Sequence, residues 1–293
     1  MPPKMHVDEV STDVALVWRL LRAQVPEWAE LPLARVPSDG TDNALYRLGD
    51  DKVVRLPRVG WAVGGLEREL EWLPRLAPLL PVRVPTPLRA GEPGEGFAWP
   101  WAIYEWIPGE NPALGGSDDP VALAHDLAAF IRALRGLDLV GPDCRRGRPL
   151  ATQDEGTRAA LAQLEGTIDT GAAKAAWESS LAAPEWSGAP VWVHGDLLPG
   201  NLLRVDGRLA AVLDFALAGR GDPSCDLIVA WSVLPGRARD VLRDELEVDD
   251  ATWARGRGWA LTLAAHALPY YRETNPGFAA VARHIFGQVL AES

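Results

Sequence analysis

The sequence predicts an α+β fold in two lobes, with antiparallel strands in the first third and mainly helices in the rest. Three observations carry this. Short apolar runs separated by turn residues occupy residues 31–60 and recur at 88–90 and 98–107, the signature of paired strands. After Pro108-Gly109-Glu110-Asn111-Pro112 the apolar spacing becomes helical. The chain has 293 residues, enough for two domains at about 150 residues each.

The elements follow in order. Ser11-Thr12-Asp13 precedes Val14, Leu16, Val17, Leu20 and Leu21, which reads as a capped amphipathic helix ending before Pro26. Residues 44–48 and 52–56 flank Gly49-Asp50-Asp51 and make a hairpin. Leu66, Leu70, Leu73 and Leu76 lie near helical spacing across residues 65–77. Strands are expected at 88–90 and 98–107. Helices are expected at 120–137, 157–164 and 172–181. A strand at 191–193 and a hairpin around Asp206-Gly207 interrupt the helices, which resume near Asp226.

Composition narrows the class. The chain is 47% hydrophobic and 24% charged, as a folded globular protein is. The longest charge-free apolar stretch, residues 258–271, is shorter than the 18 or so residues a membrane span needs. The first residues show no apolar signal region. A net charge of −11 without a basic tract argues against nucleic-acid binding, which needs clustered cations. It suits a cationic small molecule, though acidity is also a common route to solubility. Cys144 and Cys225 show neither metal-ligand nor disulfide spacing, so a reducing, cytoplasmic setting is expected. Only three of the 29 basic residues are lysine, Lys4, Lys52 and Lys174.

The chemistry lies in residues 191–227. An apolar strand leads into His194-Gly195-Asp196-Leu197, Asn201 follows five residues after Asp196, and Asp214-Phe215 comes after a hairpin. Gly221-Asp222-Pro223 and Asp226 close the run. Phosphoryl transfer from a nucleotide needs a carboxylate to orient the attacking hydroxyl and oxygen ligands to hold Mg²⁺ on the phosphates. Asp196 suits the first task. Asn201 and Asp214 suit the second, because Mg²⁺ takes hard oxygen donors, one or two of them from the protein. Any one of these residues alone would read as a turn or cap. Asp222 reads as an N-cap, Asp226 as a buttress of the loop, and His194 as a hydrogen-bonding support.

His-x-Asp-x₄-Asn followed by Asp-Phe is the protein-kinase arrangement. With His-Gly-Asp-Leu and the later Gly-Asp-Pro-x-x-Asp-Leu, residues 191–227 resemble the aminoglycoside phosphotransferase family. Weaker resemblance extends over residues 36–110. The resemblance implies a protein-kinase-like fold, with a nucleotide-binding lobe at residues 1–107 and a catalytic, acceptor-binding lobe at 108–293. It implies ATP or GTP as co-substrate, Mg²⁺, and a small-molecule hydroxyl as acceptor; the composition leaves neither nucleic acid nor membrane as an expected partner.

It also implies phosphate contacts from the turn Ser38-Asp39-Gly40-Thr41-Asp42-Asn43, which has one glycine and no G-x-G-x-x-G. Gly40, Thr41 and Asn43 are the candidates there. Arg55 stands where the family has a lysine, with Lys52 on the other strand face as the alternative. Arginine is forked and always charged, and it binds phosphate well. The partner glutamate is expected on the helix at 65–77, where Glu67, Glu69 and Glu71 compete. Glu69 shares a buried-facing stripe with Leu73 and Leu76, so a carboxylate there needs a cation. The nucleotide base is expected at the carbonyl of Glu105 and the N–H of Ile107.

The acceptor is less legible. The acidic stretch Asp240, Asp244, Glu245, Glu247, Asp249 and Asp250 would suit a polycationic antibiotic, or is a solvated face. Trp231, Trp253 and Trp259 could stack on a sugar ring, or pack the core. Three readings stand: a phosphotransferase acting on an aminoglycoside or other antibiotic; a metabolic kinase for a sugar, amino alcohol or homoserine-like acceptor; and a nucleotide-binding pseudokinase, suggested by the missing lysine.

Overall fold

The computed structural model describes residues 4–38, 40–114 and 119–292. Asp39, from the expected phosphate turn, lies outside them. The chain divides into two compact units. The first comprises residues 1–108 and 211–216, and the second residues 109–210 and 217–293. The expected partition was contiguous; in the structure residues 211–216 join the first unit.

In the first unit, helix α1 (Val14–Gln24) starts where Asp13 accepts from the Leu16 N–H at 2.7 Å. Its buried face, Leu16, Val17, Leu20 and Leu21, packs against strand residues Tyr46, Leu48, Val54, Leu56, Trp101 and Ile103. Each such burial contributes roughly 1.5–3 kcal/mol. The sheet runs β1 (Leu33–Arg35), β2 (Asn43–Leu48), β3 (Lys52–Pro57), β5 (Trp101–Glu105), β4 (Pro87–Gly91). Every pairing is antiparallel. Helix α2 (Val63–Leu76) buries Leu66, Glu69, Trp72, Leu73 and Leu76. Glu67 and Glu71 are exposed. Residues 211–216 are tied in where the Val212 N–H donates to the Arg83 carbonyl at 3.0 Å.

The second unit is mainly helical. It contains α3 (Pro120–Arg135), α4 (Asp154–Ala162), α5 (Thr170–Leu181), α6 (Ile228–Ser232), α7 (Gly236–Glu245), α8 (Asp250–Tyr271) and α9 (Pro276–Leu290). Helix α8 packs along α9. Two small sheets interrupt the helices. Strand β6 (Val191–Val193) pairs antiparallel with β9 (Gly219–Gly221), and β7 (Leu202–Val205) with β8 (Arg208–Val212). Asp206 (φ 50°) and Gly207 (φ 78°) turn the second hairpin, the left-handed pair of a type I′ turn. Strand β9 had no sequence signal, because Gly-Arg-Gly has poor strand propensity. Among the described residues, no helix is long and apolar enough to cross a membrane.

Candidate active site

Two clusters gather the expected residues, one in each unit. The first is centred on Arg55 of β3, 8% exposed. Its Nη1 donates to both oxygens of Glu69, at 2.9 and 2.7 Å. Its Nη2 donates to Asp214 Oδ1 at 3.0 Å. With the Asn43 amide oriented to match donors to acceptors, its oxygen accepts from Nη2 at 3.0 Å and from Nε at 3.1 Å. A guanidinium has five N–H groups, and all five are spent inside the protein. Glu69 is fully buried. It also accepts from the Tyr104 hydroxyl at 3.1 Å and the Phe215 N–H at 2.8 Å.

The electrostatics follow from that enclosure. Burial disfavours charge on Arg55, but Glu69 and Asp214 outweigh it and hold the guanidinium above its ordinary value. Burial pushes the Glu69 carboxyl up, with Arg55 opposing. Arginine stays charged at any accessible pH. Burial, then Glu69, drives the Tyr104 phenol well above its usual range. Asp214 has φ +63°, a left-handed conformation that costs a non-glycine residue energy and collects at functional sites. Lys52 faces elsewhere, paired with Asp51 at 2.7 Å and lying 5.0 Å from the Trp28 ring centroid.

The expected phosphate turn is satisfied largely from within. The Gly40 N–H donates to Ser38 Oγ at 3.0 Å, and the Thr41 hydroxyl to Asp42 at 2.6 Å. His6 Nε2 lies 3.0 Å from the Thr41 carbonyl. Asn43 is buried against Arg55 rather than displayed on the turn. At the end of β5, Glu105 N–H donates to the Thr86 carbonyl at 2.9 Å, and its carboxylate pairs with Arg83 at 2.6 Å. Ile107, two residues on, is buried.

The second cluster is the loop after β6. Asp226, fully buried, accepts the His194 N–H at 3.0 Å and the Gly195 N–H at 2.7 Å. Burial raises its carboxyl, against opposing contributions from His194 and these two N–H groups. The Asp196 N–H donates to His194 Nδ1 at 3.1 Å. Gly195 has φ +79°, and a Cβ there would lie 2.8 Å from Cys144 Sγ; only glycine fits. Asn201 Nδ2 donates to the Asp196 carbonyl at 2.9 Å and to its Oδ2 at 3.0 Å. Arg146 Nη1 donates to the Gly195 carbonyl at 2.8 Å and to Asp196 Oδ1. The Asp196 side chain keeps 22% of its surface exposed. Asp222 caps the turn that follows, accepting from the Ser224 N–H at 2.9 Å, and pairs with Arg255 at 2.8 Å.

The donor chemistry suits Mg²⁺. In the second cluster Asn201 spends its amide nitrogen on Asp196, which leaves its amide oxygen as a hard donor. In the first cluster the Asp214 carboxylate is 30% exposed. Among the described residues no group of three or more His, Cys, Asp or Glu forms a metal centre. A nucleotide-bound Mg²⁺ needs no such centre, since phosphates and waters complete its shell.

Arg146 was missed in the sequence because a contact 50 residues apart leaves no periodic signal; three arginines within residues 145–148 were the available hint. Tyr104 was missed likewise. Trp231 and Trp259 are buried core residues. In the acidic stretch Glu245 is held by His125 (2.9 Å) and Arg132 (3.0 Å), Asp250 by Arg243, and Asp249 caps α8.

This fold and this loop define a kinase-like phosphotransferase class, and comparison with known proteins agrees. The model of the phosphotransferase enzyme family matches residues 34–259. The chain belongs to that family. Its fold is similar to that of the GDP and kanamycin complex of APH(2'')-IIIa (TM-score 0.73, 17% identity, 94% of this chain and 98% of that one). It is also similar to the GDP complex of wild-type aminoglycoside 2'-phosphotransferase-IIIa (TM-score 0.73, 16% identity, 96% and 99%). The apoenzyme of macrolide 2'-phosphotransferase MphH from Brachybacterium faecium matches with a TM-score of 0.58 at 23% identity, over 94% and 97%. No curated protein matches the chain in sequence.

Proposed function

We propose that this chain transfers the γ-phosphoryl group of ATP or GTP, with Mg²⁺, to a hydroxyl of a small molecule. The observation that carries this is the Asp196 carboxylate, fixed at both oxygens yet partly exposed. Each oxygen keeps a lone pair, so the group can accept the proton of an attacking hydroxyl while staying oriented. Phosphoryl transfer asks for little beyond positioning and charge stabilisation.

The first unit is then the nucleotide-binding part and the second the catalytic and acceptor-binding part. Asn201 and Asp214 would hold Mg²⁺, which would neutralise charge on the phosphates. Gly40 and Thr41 lie in the turn offered to the phosphates. The Glu105 carbonyl and Ile107 N–H would take the base; among the described residues nothing accepts from the Ile107 N–H. Arg55 takes a different part from the expected one. With its five donors committed, it holds Glu69 and Asp214 in place, and it reaches a phosphate only if one acceptor gives way.

Similar folds include a kanamycin complex and a macrolide phosphotransferase, so aminoglycosides and macrolides head the acceptor panel. The half-neutralised acidic stretch singles out no polycation, and sugars and amino alcohols belong beside them. The committed Arg55 donors favour one rival, a pseudokinase that binds nucleotide without turning it over. The test is ADP or GDP release with Mg²⁺ across the panel, with Asp196→Ala as control. Release that disappears in the variant, with nucleotide binding retained, is expected. Nucleotide binding without release for any acceptor or water would favour the pseudokinase.

A further inference from the structure

Arg146 is the member of the Asp196 cluster that lies outside the sequence motif. It sits in the turn Arg145–Gly147, which rests on β9. The Cys144 N–H donates to the Arg220 carbonyl at 2.9 Å, the Gly147 N–H to the Cys144 carbonyl at 3.0 Å, and the Asp222 N–H to the Gly147 carbonyl at 2.8 Å. Gly147 and Gly221 meet backbone to backbone: a Cβ on Gly147 would lie 2.7 Å from Gly221 Cα. The turn therefore has little freedom to shift. Strand β9 continues into Asp222 and Asp226, and Asp226 holds the His194-Gly195 backbone. Arg146 and Asp196 are thus anchored to one stretch of chain.

One nitrogen of Arg146 grips two consecutive groups, the Gly195 carbonyl and Asp196 Oδ1. Asn201 holds the other carboxylate oxygen. With a partner on each oxygen the carboxylate plane cannot rotate. With Asn201 alone it could swing about a single contact. Burial disfavours the charge on Arg146, but Asp196 more than offsets this and keeps the guanidinium above its ordinary value.

We propose that Arg146 is a positioning residue for phosphoryl transfer, fixing the plane of the Asp196 carboxylate against the incoming hydroxyl. The inference rests on the phosphotransferase reading of Asp196. Its effect is on orientation, and misplacing a reacting group by about 1 Å costs on the order of 10²-fold in rate.

The experiment compares the unmodified protein with Arg146→Ala and Arg146→Lys. It measures kcat and KM for ATP or GTP with Mg²⁺, using an acceptor that turns over, or water where none does, and records the melting temperature. Arg146→Ala should lower kcat by about 10–10²-fold while leaving nucleotide KM and melting temperature little changed. Arg146→Lys, which keeps one cationic nitrogen, should recover part of the loss, and guanidinium ion added to Arg146→Ala should raise its kcat. An unchanged kcat in Arg146→Ala would overturn the inference. So would a loss of melting temperature with kcat and KM failing together and no rescue, because that marks a fold brace. If the unmodified protein binds nucleotide but releases no product with any acceptor or water, the phosphotransferase reading itself fails, and this inference with it.

Discussion

Arg55 and Arg146 both grip a carboxylate of the expected machinery, yet they do so in opposite settings. Around Arg55 the guanidinium and Glu69 are closed in, and only Asp214, 30% exposed, reaches the surface. Glu69 is fully buried, all five guanidinium donors are taken, and Tyr104 and the Phe215 N–H fill the remaining acceptor positions on Glu69. Around Asp196 the grip is lighter. An amide, one guanidinium nitrogen and backbone contacts hold a side chain that remains 22% exposed. Ion pairing alone therefore does not mark chemistry. A buried, saturated charge cluster fixes the fold, and a fixed but open carboxylate is available to a reactant.

Substitutions in the two regions should separate along the same line. Glu69→Ala strands Arg55 and should cost about 3–5 kcal/mol, as removing one partner of a buried pair does. Chemical denaturation will read it, and a loss near zero would show that the cluster is not the brace described. Asp226→Ala leaves the His194 and Gly195 N–H groups without their acceptor, at about 1–3 kcal/mol for each group left unsatisfied. It tests whether the open region also depends on a buried support; turnover should fall with stability there.

Arg55→Lys gives a smaller effect. A single ammonium cannot replace a five-donor fork, so the Asn43 and Asp214 contacts should be lost while the one to Glu69 persists. Stability should drop by less than in Glu69→Ala, and Mg–nucleotide binding, followed by calorimetry, should survive. Abolished binding would mean that Arg55 touches the phosphates directly.

The smallest effect is one of pH. Glu9 pairs with Arg58 at 2.8 Å and accepts the Met5 N–H at 2.7 Å. Burial works against its charge, but the Met5 N–H and Arg58 outweigh it, so its carboxyl titrates below the ordinary 4.5. The unfolded chain binds the proton more readily, so stability rises with pH through this window. The contribution is complete above 4.5 and disappears as pH falls through the lowered value. Glu9→Gln should flatten that acid limb in pH-dependent melting; an unchanged slope would remove Glu9 from the account.

Legibility in the sequence followed the range of the contacts. Asp196, Asn201, His194 and the Asp222 cap were readable because their partners are close in sequence or belong to a fixed spacing. Glu69 was readable because helical period placed it with Leu73 and Leu76 on a buried stripe. The rest rested on distant partners. Asn43 read as part of a phosphate turn, but the cation it meets lies on the neighbouring strand. Arg55 read as a phosphate ligand because its strand position was visible and its three hydrogen-bonding partners, Glu69, Asp214 and Asn43, were not. Arg146 and β9 come together through glycines whose close approach has no periodic signature.

The most direct test sets two isosteric substitutions side by side, Asp196→Asn and Glu69→Gln, each measured for melting temperature and for ADP or GDP release. Asp196→Asn should keep its melting temperature and lose turnover by about 10²–10⁴-fold, the usual worth of a positioned base, while Glu69→Gln should lose melting temperature. If Asp196→Asn turns over normally, or unfolds as readily as Glu69→Gln, the division between brace and chemistry is wrong.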